Sequence, residues 1–79
     1  MIDIKEWKWI INTKNMTCRN EENDVTIKME KRGGSFRGIL DNMPVELFAE
    51  ISKYSNGEKI IEEIVREAEK EFLMSSGRA

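Results

Sequence analysis

Few side chains in this 79-residue chain are of the kinds that do chemistry, and their spacing limits what they can do. Cys18 is the sole thiol, and there is no histidine. A thiol nucleophile needs a base or a strong neighbouring positive charge to hold it as thiolate. Arg19 beside it lowers the thiol pKa only modestly, so Cys18 reads as a small hydrophobe on the inner side of a strand. Ser35, Ser52, Ser55, Ser75 and Ser76 fall in turns, caps or the C-terminal tail, and none sits in the strand–turn–helix elbow of a serine hydrolase. Glu58, Glu62, Glu63, Glu67, Glu69 and Glu71 are numerous, yet a catalytic carboxylate needs burial or a like-charged neighbour in a cleft. On a helix with alternating charge they read as a solvated face.

Two further patterns suggest ligands and fall short of them. Glu21-Glu22-Asn23-Asp24 offers oxygen ligands but lacks the central glycine and terminal glutamate of a calcium loop. Gly33-Gly34-Ser35 links two strands and has no following lysine, which a phosphate-cradling loop requires. The expectation is a non-enzymatic protein with no catalytic residues, no cofactor and no metal.

The remaining constellations are surfaces. Lys28, Lys31, Arg32 and Arg37 cluster with only Glu30 among them, so the hairpin they occupy is a candidate contact for nucleic-acid phosphates. The charges are few, and the same residues equally serve to blunt a sheet edge. Trp7 and Trp9 form an alternating aromatic pair of the kind that anchors cores and subunit interfaces. Together with Phe48, Ile61, Val65, Ala68 and Phe72 they are the candidate self-association residues. The C-terminal apolar stripe is wider than a small sheet covers alone.

Periodicity gives the elements that position these residues. Residues 6–11, rich in Trp and Ile, read as a strand with Trp7, Trp9 and Ile11 on one side. Residues 12–15 read as a turn, 16–19 as a short strand and 20–24 as a polar loop. Val25, Ile27 and Met29 alternate with Thr26, Lys28 and Glu30, the clearest strand signal in the chain. A glycine-containing link of about five residues, 31–35, joins it to a strand at 36–40, making an antiparallel hairpin. Gly38 inside the second strand marks a bulge or a close approach by another element. Pro44 then suits the first turn of a helix whose apolar face is Leu47, Phe48, Ile51 and Tyr54. Ser55 and Glu58 have capping-box spacing and open a second helix running to about Met74. Its stripe is Ile60, Ile61, Ile64, Val65, Ala68, Phe72 and Leu73, with Lys59–Glu63 and Glu62–Arg66 as i,i+4 pairs. The expected fold is a single α+β domain over residues 1–74. It is ordered β-β-β-β-α-α, with three to four short antiparallel strands covered on one face by two helices, and residues 75–79 form a flexible tail.

From Phe36 onward, the order of strand, Pro-led helix (Met43-Pro44-Val45-Glu46-Leu47), glycine-containing link and second helix is similar to that of the ribbon-helix-helix DNA-binding repressors. The resemblance covers about half the chain. It implies a dimer whose strand pairs with its copy, with Arg37 as the natural reader of the major groove. Two features depart from that family. A complementary strand already precedes residue 36, and Glu58 would repel a phosphate at the start of the second helix.

Size and charge bound the rest. A chain this short buries only about 60% of its unfolded surface, and with one cysteine and no histidine neither a disulfide nor the commonest metal site reinforces it. Self-association, as a homodimer, is the remaining route. Residues 1–40 carry eight basic and six acidic side chains, and residues 41–79 five and nine, a mild asymmetry within a net charge of −2. The lone thiol, the lack of a secretory leader and the absence of a long apolar run point to the cytoplasm and away from a membrane. The expected role is a small self-associating interaction or accessory module with a possible protein partner. Nucleic-acid binding or transcriptional regulation is the alternative.

Overall fold

The computed structural model describes residues 3–76, apart from the side chain of Ser76. Four strands form one sheet: β1 (Ile10–Asn12), β2 (Thr17–Asn20), β3 (Val25–Arg32) and β4 (Ser35–Asn42). They pair antiparallel in chain order, and helices α1 (Val45–Ser52) and α2 (Gly57–Ser76) follow. This is the expected α+β arrangement.

Alternation dictates which side of the sheet is dry. Val25, Ile27 and Met29 of β3 are buried, and Cys18 and Asn20 of β2 share their side. Ile51 of α1 and Ile64, Ala68 and Phe72 of α2 close over them, with Ile4, to form the core. Phe36 from β4 meets Phe72 edge-on at a centroid separation of 5.2 Å. Each such aliphatic or aromatic burial contributes roughly 1.5–3 kcal/mol, so the helix–sheet contact is the main source of stability.

Several local expectations are corrected. The hairpin link is tighter than five residues: both strands continue to Arg32 and Ser35, leaving Gly33 and Gly34 as the turn, with Gly33 at φ 60°. Only a residue without Cβ adopts that angle freely. The ladder irregularity lies where Thr26 opposes Asn42 while Ile27 opposes Leu40, so Asp41 is the extra residue. Gly38 instead marks a close approach by α2. The tryptophan segment is not ladder-paired: residues 4–6 make a single 3-10 turn closed by Trp7 N–H to the Ile4 carbonyl, and β1 begins only at Ile10. Trp7, Trp9 and Ile11 nonetheless share the core side. Buried Asn20 substitutes for the missing ladder, its Nδ2 donating to the Lys8 carbonyl at 3.0 Å while its Oδ1 accepts from Asn23 N–H at 2.7 Å.

Pro44 is the residue just before α1, and its carbonyl accepts the first helical bond from Phe48 N–H at 3.0 Å. α2 starts at Gly57, with Ile60 N–H donating to the Asn56 carbonyl. That places Asn56, not Ser55, at the cap, so Ser55 and Glu58 do not form the expected box. Ser75 and Ser76 are helical, and residues 77–79 of the expected tail lie outside the described residues. Neither expected i,i+4 pair closes. Among the described residues the ion pairs are Arg19–Asp24 at 3.3 Å and Arg32–Glu30 at 3.7 Å.

A Cβ at position 38 would stand 2.9 Å from Val65 Cγ1 and 3.1 Å from Ile27 Cγ2. Gly38→Ala is therefore expected to lower unfolding stability by about 1–3 kcal/mol, the usual cost of overpacking. Urea denaturation checks this, and an unchanged midpoint would refute the tight contact.

Candidate interaction face

The residues with chemical potential are placed apart. Cys18 is fully buried, and its S–H donates to the Ala68 carbonyl at 3.5 Å. Burial, reinforced by the negative charge of Glu71, pushes its thiol from 9.0 up to about 12. A protonated, enclosed thiol is neither nucleophile nor ligand. Among the described residues no group of three or more His, Cys, Asp or Glu side chains is placed to hold a metal ion.

The four basic hairpin residues do not form one patch. Lys28, Arg32 and Arg37 lie on the open face of the sheet, whereas Lys31 falls on the opposite pleat, across from Phe36. Glu30 sits among the three, opposite Arg37 in register and ion-paired to Arg32. Arg19 on the same face is paired to Asp24.

The candidate self-association residues divide similarly. Ala68 and Phe72 are 0% and 2% exposed within the single chain, so they belong to its own core and are removed from the surface set. Trp7 and Trp9 pack against that core with ring centroids 5.9 Å apart, and the buried Trp9 Nε1 has no partner. Phe48, Ile61 and Val65 are brought together. Phe48 and Ile61 line a cleft of about 590 Å³ between the end of α1 and the start of α2. Ile61 also lines a second cleft of about 440 Å³, with Val65, between α2 and the β4 edge. Ile61 thus joins both into one face. Phe48 is 49% exposed, and Val45 on the same helix is 79% exposed.

The charged residues lining this face balance. Arg37, Lys59 and Arg66 contribute three cations, and Glu58, Glu62 and Glu69 three anions. A separate cleft of about 330 Å³ gathers Asp3, Glu6, Glu22 and Glu50 beside Trp7. Its carboxylates come from three segments remote in sequence, so no local motif could have revealed it.

No family model, curated protein or solved structure matches this chain. Among the described residues, no helix is long and apolar enough to cross a membrane.

The thiol gives a pH prediction. Because its folded pKa lies above the unfolded value, its contribution to stability is complete below pH 9.0 and is lost as pH rises toward about 12. Cys18→Ala should flatten that alkaline limb in denaturation curves. The native thiol should also resist a disulfide reagent at pH 8 and react promptly once unfolded. Rapid reaction in the folded state would contradict the burial.

Proposed function

We propose that this protein is a small, non-enzymatic interaction module that associates with a second copy of itself through the face built by Phe48, Ile61 and Val65. The observation that carries this reading is the apolar continuity of the two clefts through Ile61. A large aromatic left half-exposed beside other apolar groups marks an interaction site more often than an ordinary surface.

The charge balance supports the choice of partner. A rim with equal numbers of each sign draws neither a polyanion nor a polycation strongly. A two-fold contact places residue i against j and j against i, so a mixed rim complements itself when opposite charges meet. Glu62 and Arg66 are both in the second cleft and form no ion pair with each other, leaving each able to meet its opposite on the copy.

The second reading, a nucleic-acid contact through the hairpin, is favoured by the shared face of Lys28, Arg32 and Arg37 and opposed by Glu30 among them. It requires binding that falls steeply with salt and weakens when Lys28 and Arg37 become alanine.

Sedimentation over a concentration series tests the first reading. The unaltered chain should form a dimer by high micromolar concentration. Phe48→Glu should raise the dissociation constant by at least about tenfold, or ~1.4 kcal/mol, with little change in melting temperature. A chain that stays monomeric throughout would end this proposal.

A further inference from the structure

Opposed residues in an antiparallel pair alternate between exchanging both backbone hydrogen bonds and exchanging none. Met29 N–H donates to the Met16 carbonyl at 2.8 Å, on the β2 side, so Met29 and its β4 partner Gly38 form a pair that exchanges none. The Gly38 N–H therefore points outward from the free edge of β4. By the same alternation Phe36 and Leu40 present their peptide groups outward. An eight-residue edge of this kind is a template for an added strand.

Its central donor is already taken. Gly38 N–H donates to Glu69 Oε2 at 2.6 Å, a bond that spans 31 residues and ties α2 to the edge. Glu69 reaches it because position 38 has no side chain: a Cβ there would lie 3.0 Å from Glu69 Cγ and closer still to Val65. Glycine and glutamate act as one fitting. We infer that Glu69 is a lock on the sheet edge, its carboxylate oxygen occupying the place of the carbonyl that an incoming strand would bring.

The strand kept out is β4 of a second copy, which has the same length and the same outward groups. A hydrogen bond to a carboxylate is roughly twice as strong as one between neutral groups. A displacing strand would exchange the stronger bond for a weaker one and strand a charge beside Val65. Glu69 and Gly38 also line the cleft at the β4 edge, so the lock borders the helical face through which association is proposed, and its test has to silence that face separately.

Amide hydrogen exchange on the unaltered chain is the first test: Gly38 should exchange at least about tenfold more slowly than the outward amides of Phe36 and Leu40. The second uses Glu69 variants in a Phe48→Glu background, so that the helical face is silenced. Glu69→Ala should lose the Gly38 protection and acquire an intermolecular β-sheet infrared band on concentration. Glu69→Gln, which keeps an accepting carbonyl, should retain most of the protection and assemble far less. Equal exchange at the three amides, or a folded Glu69→Ala that neither exposes Gly38 nor assembles, would overturn the inference.

Discussion

The closeness of α2 to the sheet is the constraint from which the other features follow. Gly38 permits it, because any side chain there would collide with Val65 and Ile27. At that distance Ala68 presents its carbonyl to the Cys18 thiol and Phe72 sets its ring against Phe36. Glu69 is delivered to the β4 backbone by the same approach. A bulkier residue at 68, where the exposure is zero, would lift the helix and undo all three contacts together. One backbone position without a side chain and one small helical residue therefore set the spacing of the whole layer.

The first helix is short of what the core needs, and that shortage shapes the surface. α1 is eight residues long and turns Leu47 and Ile51 inward, which leaves Val45 and Phe48 on its far side. A four-strand sheet with a three-residue edge strand offers no further surface to cover them. Small domains face this problem generally, since the surface they keep exposed shrinks more slowly than their volume. The apolar face through Phe48, Ile61 and Val65 is thus a consequence of size as well as a place for a partner.

The sequence made the architecture legible where a period held over several residues. Alternation from Val25 to Glu30 and the stripe through Ile64, Ala68 and Phe72 each had one geometric solution. Gly38 was readable too, as a glycine in a strand where something must come close. The tryptophan segment misled because its alternation was real while its ladder was not. Trp7 and Trp9 face the core, but the chain there is held by one amide from Asn20, a residue that looks like any polar loop side chain. Ala68 and Phe72 could not be told from surface residues of the same stripe, because a stripe fixes a direction on a helix and says nothing of how far the sheet extends beneath it. The Glu69–Gly38 bond and the acidic cleft beside Trp7 join segments remote in sequence, so no spacing rule could reach them.

The two edges of the sheet bear on how such a molecule associates. An unpaired edge and an exposed apolar face are rival routes to assembly, and the edge is the less discriminating because every strand carries the same backbone groups. β1 is blunted by its length of three residues. β4 is long enough to accept a strand, yet its middle donor is held by a carboxylate from the chain's own helix. With both edges dulled, the remaining apolar exposure lies on the helices, where side-chain shape and charge select the partner. Glu69 thereby does for the sheet what the balanced rim does for the helical face: it replaces indiscriminate pairing with a contact that depends on particular side chains.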